Sequence, residues 1–208
     1  MRRRLLLVRH GQSTWNAEGR WQGWSDPPLS RLGESQAAEA AVALGGVGAT
    51  SVWASDLVRA RATADVIAAH LALGPVATDP DLREFHVGDW EGRTRPEIQV
   101  GWPEELAAWR AGTIVATPGG ETRVHFEARV QAALQRLAGT GDHADGNVVV
   151  ATHGGVIRAA ERLSAADRSE VIDNLAGRWF EVDGEGELRA GGRVNLLGGQ
   201  RRTASPSP

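Results

Sequence analysis

Leu5-Leu6-Leu7-Val8-Arg9-His10-Gly11 is the stretch on which the reading of the chain turns. Four apolar residues stop abruptly at an arginine, a histidine and a glycine. Such a run, bounded by basic residues, reads as a strand buried on both faces. In an open α/β sheet, ligands bind beyond the carboxyl ends of the strands, and Arg9 and His10 stand at such an end. Asn147-Val148-Val149-Val150-Ala151-Thr152-His153-Gly154-Gly155 repeats the design. It is a β-branched run, then a histidine, then glycines. Two histidines at two strand ends make a constellation, which a single histidine would not.

Helical and extended patterns alternate between these stretches. A short helical turn is expected at 12–16, and Gly19 to Pro28 is a Gly/Pro-punctuated loop carrying Trp21 and Trp24. These tryptophans are read either as a pocket wall or as caps on the core. Ser30 is a good N-cap for an Ala-rich helix over 31–44. A strand follows at 51–55, then a helix that Asp56 is expected to cap. Its apolar residues Leu57, Ala60, Ala64, Ile67 and Leu71 recur with a 3.6-residue period. Another strand is expected near 76–78. A helix over about 121–138 carries Phe126, Val130, Ala133, Leu134 and Leu137 on one face. Helices are also expected from Gly155 to about Leu163 and, short, near 166–175. Residues 178–182 and 187–190 flank Asp183-Gly184-Glu185-Gly186 and read as a hairpin. The alternation predicts an α/β fold, a three-layer α/β/α sandwich with a mainly parallel central sheet. The 208 residues suit one domain over 1–200, with a small helical insertion at about 93–120. The tail 201–208 is expected to be disordered.

Composition narrows the chemistry. Net charge is −3, so no general affinity for nucleic acid or anionic membrane follows. All 23 basic residues are arginine, so a phosphate site here must use arginine, histidine and backbone amides. The lack of cysteine removes disulfides, thiol nucleophiles and thiolate metal sites together. The basic residues 2–4 before Leu5 superficially suggest a signal peptide. The apolar run is too short and ends in charge, so a cytoplasmic protein is expected.

A neutral imidazole, with an unperturbed pKa of about 6.5, is a competent nucleophile near neutral pH. His10 can therefore attack phosphorus and carry a covalent phosphoryl group. Charge in that transition state spreads over three equatorial oxygens, which arginine forks from Arg9 and the 56–71 helix can meet. Arg59 lies in the first turn of that helix, and Arg61 lies about 200° further round, so only one faces a given pocket. His153 and the amides at Gly154-Gly155 offer further donors. The leaving oxygen needs a proton, for which Glu84, Asp89 and Glu91 are candidates. Spacing leaves both choices open. No metal site is expected: neither histidine has a second ligand nearby in sequence, and the arginines repel a cation.

Taken together, these stretches resemble the histidine phosphatase superfamily, also called phosphoglycerate-mutase-like. Leu7 to Asn16 is similar to its signature, continuing through Gly23-Trp24-Ser25-Asp26-Pro27-Pro28-Leu29-Ser30. Ser55 to Ala64, Leu82-Arg83-Glu84 with Gly88 to Gly92, and Thr152-His153-Gly154-Gly155 resemble the later motifs, in family order. The resemblance implies that His10 becomes phosphohistidine. It implies that Arg9, Arg59 and His153 bind the transferring group and that Asn16 adds a phosphate contact. Glu84 is implied as general acid and then as the base that activates water. Gln22, Gly23 and Gly154 are further phosphate or substrate contacts, and Arg20, His86, Arg93 and Arg123 are substrate candidates. No cofactor and no metal are implied. The implied partner is a small phosphorylated substrate, with no nucleic acid or membrane involved; a homodimer is compatible.

Within the family, Gly155 stands where mutases usually carry asparagine, and the segment after Glu84 is shorter than theirs. A mutase must keep its intermediate from water, so the shorter segment suits a phosphomonoesterase. Trp109-Arg110 with Pro118 to Val124 is similar to glucosyl-3-phosphoglycerate phosphatases, and α-ribazole phosphatases share much of the pattern. The competing readings are a cofactor-dependent phosphoglycerate mutase and a catalytically silent phosphate-binding regulator.

Overall fold

The computed structural model describes residues 4–139, 146–183 and 185–198. The expected tail at 201–208, much of the 140–146 loop and Gly184 of the hairpin lie outside these. Six strands form one sheet: β1 Arg4–Arg9, β2 Ala49–Ala54, β3 Ala77–Thr78, β4 Asn147–Thr152, β5 Ala176–Val182 and β6 Leu188–Asn195. Their order is β3-β2-β4-β1-β5-β6. β1, β2, β3 and β4 run parallel, while β5 and β6 form an antiparallel hairpin joined to β1. The two signature strands are neighbours at the centre, with Arg9 opposite Thr152.

Pleating sends successive side chains to opposite faces, and β1 is apolar throughout because both faces are covered. Leu5, Leu7, Val148, Val150 and Phe180 pack under α6 (Arg123–Gly139) and α7 (Gly154–Leu163). The alternate residues Leu6, Val8, Val149 and Ala151 pack under α2 (Arg31–Ala43) and α3 (Val58–His70). Each of these strand side chains is buried. At about 1.5–3 kcal/mol per large aliphatic side chain, such burial is what drives the layers together. The remaining helices are α1 (Thr14–Glu18), α4 (Arg95–Gly101) and α5 (Pro103–Ala111). α4 and α5 fill the stretch read as a helical insertion and add Ile98 and Leu106 to the α6–α7 side of the core.

Two local expectations are corrected. Residues 166–175 form no helix. Ala165 and Leu175 adopt φ of 51° and 56° at its two ends, and the carbonyls between are taken by arginine side chains rather than by helical amides. Asp56 does not cap α3: it grips Arg83 in a bidentate pair, and Asp26 from the preceding loop accepts from the Val58 amide at 2.7 Å. The two tryptophans also differ. Trp21 is buried and stands edge-on to Trp90 and Trp109, at 5.2 and 5.5 Å between ring centroids. Trp24 is 37% exposed.

Candidate active site

β1 delivers Arg9 and His10 to the carboxyl edge of the sheet, and β4 delivers His153 beside them. The ladder continues one step past the strand, with the His10 amide donating to Thr152 O at 2.9 Å. The two imidazoles meet edge to face, 5.2 Å between centroids. His10 Nδ1 lies 2.6 Å from Gly11 O. A carbonyl only accepts, so Nδ1 carries the ring proton and Nε2 presents its lone pair. That lone pair faces Arg59, whose Nε donates to it at 3.3 Å.

Arg59 is fully buried. Its Nη1 and Nη2 donate to Ser25 O and Gly23 O at 2.8 and 2.9 Å, and Asp26 Oδ1 lies 3.9 Å away. The 22–26 loop thus orients this guanidinium, and Glu91 in turn holds the loop through the amides of Trp24 and Ser25. Arg9 donates from Nη1 to Ile172 O at 2.7 Å. Burial lowers the pKa of Arg9 and lowers that of Arg59 to about 10; the Glu84 charge opposes the drop in both, so both stay cationic at neutral pH. Burial, then the positive charge of Arg59, pushes both His10 and His153 well below 6.5. Both imidazoles are neutral in this pocket at physiological pH. His153 has no hydrogen-bond partner on either ring nitrogen.

Glu84 follows the 3-10 turn Pro80–Leu82, which Thr152 anchors through its hydroxyl on Leu82 O at 2.9 Å. Its carboxylate is fixed by two backbone amides, Phe85 to Oε1 at 2.8 Å and Gly155 to Oε2 at 3.1 Å. Its carbonyl accepts from the Trp24 indole and from Arg129, both at 2.8 Å. Arg129 also donates to Asp81 O and Arg83 O and is paired with Glu121 at 2.6 Å. One arginine from α6 therefore sets the backbone that carries Glu84.

A cleft of about 160 Å³ joins these groups. Arg9, His10, Asn16, Gln22, Gly23, Arg59, Glu84 and Gly154 all line it, whereas His153 is buried beside His10 and the alternative acids Asp89 and Glu91 do not reach it. Asn16 reaches it while its side-chain oxygen accepts from the Ser13 amide, closing the capping box of α1. Gln22 Oε1 accepts from the Ser13 hydroxyl. Of the substrate candidates, Arg20 and Arg123 line the cleft; His86 and Arg93 do not. Trp21, Phe85, Val87, Trp109 and Phe126 make an apolar wall. Arg158 and Arg162 at the rim were not expected. They lie one helical turn apart on α7, four and eight residues past Gly154, a spacing that marks one helix face. Arg129 was also missed, although an arginine in the apolar stripe between Phe126 and Val130 was a legible signal. Among the described residues, no three His, Asp or Glu side chains gather to hold a metal, and no helix is long and apolar enough to cross a membrane.

Known proteins place this arrangement. A glucosyl-3-phosphoglycerate phosphatase of Mycobacterium tuberculosis is 41% identical over 170 residues, 79% of this chain and 74% of that protein. Phosphoglycerate mutase-like protein 4 of Arabidopsis thaliana is 42% identical over 188 residues, 87% of this chain and 80% of its own length. The native structure of a mycobacterial glucosyl-3-phosphoglycerate phosphatase superposes with a TM-score of 0.78 at 33% identity, covering 91% of this chain and 97% of that one. The sequence pattern of the histidine phosphatase superfamily, branch 1, matches residues 5–186. With that match taking in the sheet from β1 to β5 and every residue that lines the cleft, the chain belongs to the histidine phosphatase superfamily.

Proposed function

We propose that this phosphatase, a phosphoric monoester hydrolase, works without metal through a phosphohistidine on His10. The observation that carries the reading is the His10 lone pair on Nε2, held neutral and aimed into a buried cluster of two arginines. An incoming phosphate dianion takes Arg59 Nε and the Arg9 fork, releasing Nε2. Nε2 bonds to phosphorus while the ester P–O bond breaks, and Glu84 supplies the proton to the leaving alkoxide. Water then attacks the phosphohistidine, Glu84 takes its proton, and orthophosphate leaves with the N–P bond electrons returned to His10. His153, with both ring nitrogens unpartnered, donates to the equatorial oxygens.

Substrate choice is read from the walls. An apolar aromatic side and four arginines, Arg20, Arg123, Arg158 and Arg162, suit a sugar phosphate or a phosphoglycerate derivative. The similarity to glucosyl-3-phosphoglycerate phosphatases points the same way. Gly155 and the short segment after Glu84 favour hydrolysis over mutase transfer. The expected outcome is hydrolysis of p-nitrophenyl phosphate in EDTA, with acid-quenched phosphoenzyme seen in wild type. His10→Ala abolishes that phosphoenzyme, whereas His153→Ala slows its formation and still leaves some. Unchanged turnover by His10→Ala would refute the assignment. Conversion of 3-phosphoglycerate to 2-phosphoglycerate faster than phosphate release would replace it with the mutase reading.

A further inference from the structure

Glu161 of α7 is a fully buried carboxylate that lines no part of the cleft and has no part in the chemistry above. Arginines from three elements converge on it. Arg158 of α7 reaches Oε2 at 2.9 Å, while Arg178 of β5 and Arg193 of β6 reach Oε1 at 3.2 and 2.8 Å. One negative charge thus gathers three positive ones. All three guanidiniums then reach outward to one irregular segment, 165–175, between α7 and β5. Arg178 and Arg193 both donate to Asp167 O at 2.9 Å. Arg158 donates to Arg168 O at 2.8 Å and also to Glu170 O, and Arg193 reaches Glu170 O at 3.3 Å. A segment without helix or ladder must find partners for its carbonyls elsewhere, and here they come from this cluster.

The far end of the same segment holds the reactive strand end. Ile172 O accepts from Arg9 Nη1 at 2.7 Å, the Leu175 amide donates to Arg9 O at 3.0 Å, and Asn174 Nδ2 donates to His10 O at 2.8 Å. We propose that Glu161 is a positioning residue: it clamps Arg158, Arg178 and Arg193 onto the 165–175 segment, and the segment fixes the Arg9 fork and the His10 backbone for phosphate. The inference rests on the reading of Arg9 and His10 as the phosphoryl site. Glutamine at 161 keeps the shape and removes the charge. It leaves three like charges crowded, with only the exposed Glu170 carboxylate 3.9 Å from Arg193 to oppose them, and they separate. The carbonyls they held are freed, and Ile172 O moves off Arg9.

The test is a double-mutant cycle on orthophosphate binding, read by calorimetry with wild type, E161Q, R9A and the pair. E161Q is expected to weaken binding about tenfold, as for residues in one hydrogen-bond network, and to add nothing in the R9A background. In hydrogen exchange, the Leu175 amide exchanges faster in E161Q while the β1 amides do not. Unchanged affinity, or the same loss in both backgrounds, overturns the proposal; a purely structural role predicts the latter. Should E161Q not fold, R193Q, which removes one of the two arginine donors from each of the Asp167 and Glu170 carbonyls and keeps the carboxylate paired, is put through the same cycle with the same two outcomes. Neither readout needs turnover. A wild type that binds orthophosphate but hydrolyses no ester overturns the reading of the function alone, and active enzyme with additive E161Q and R9A overturns this one alone.

Discussion

A methyl group added at residue 155 would stand 2.0 Å from Glu84 Oε1, far inside any non-bonded carbon–oxygen contact. Added at residue 154, it would meet the Arg9 side chain at an ordinary 3.8 Å. Gly155→Ala must therefore displace the Glu84 carboxylate, and on its proposed role as proton donor a displacement of about 1 Å costs on the order of 100-fold in rate. The expected result is a kcat loss of that size with orthophosphate affinity little changed, and a smaller loss in Gly154→Ala. Equal losses in the two variants would count against Glu84 as the proton donor. Position 155 also shows what sequence reading could reach. The glycine was visible there as a difference from mutases, but its partner, a carboxylate from a distant segment, was not. His10 and His153 were legible because a titratable residue after an apolar run is locally odd. Asn174 and Glu161 were not, because the partners that give them a role lie on other elements.

α3 presents its first turn, with Arg59, to the cleft, and the structure holds that turn from outside. Leu57 at the N-cap has no side chain to offer, and Asp26 supplies the missing acceptor to Val58 while standing 3.9 Å from Arg59. Asp26→Ala is expected to cost about 0.5–2 kcal/mol, the usual loss for a helix cap, measured by urea denaturation. It should also weaken orthophosphate binding; a variant with full stability and affinity would show that the cap is idle. The helices that bury one face were read correctly, α2, α3, α6 and α7 each within a few residues, because a 3.6-residue apolar period is a property of the sequence itself. The helix expected at 166–175 is absent for the opposite reason: local propensity allows it, and tertiary partners for its carbonyls override it.

At the scale of the molecule, protonation of the site and folding are linked. His10 and His153 stay neutral in the folded state far below their ordinary value of 6.5, because burial and then Arg59 oppose the charge. The unfolded chain takes up both protons near pH 6.5. As pH falls below that value, stability drops by about 1.4 kcal/mol per pH unit for each histidine, until the folded-state values are reached. Denaturation curves across pH 7 to 5 should show this slope, and His153→Ala should reduce it. A flat profile would mean that the imidazoles titrate normally in the fold. The layered sheet itself was legible in the alternating elements. The antiparallel turn of β5 back onto β1 was not, since a hairpin signal says nothing about which strand it joins.

Arg9 pairs with Thr152 across the middle of the sheet, so the proposed phosphoryl site draws on strands far apart in the chain. No contiguous half of the molecule contains a working pocket, and contacts so distant in sequence close late in folding. Enzymatic activity is then a clock for the last folding event. During refolding from urea, the far-ultraviolet helical signal should return before turnover does, and a matching rise of the two would mean that β1 and β4 meet early. On the proposed role of His10, a growing chain is expected to gain phosphatase activity only once β4 has been made and has found β1.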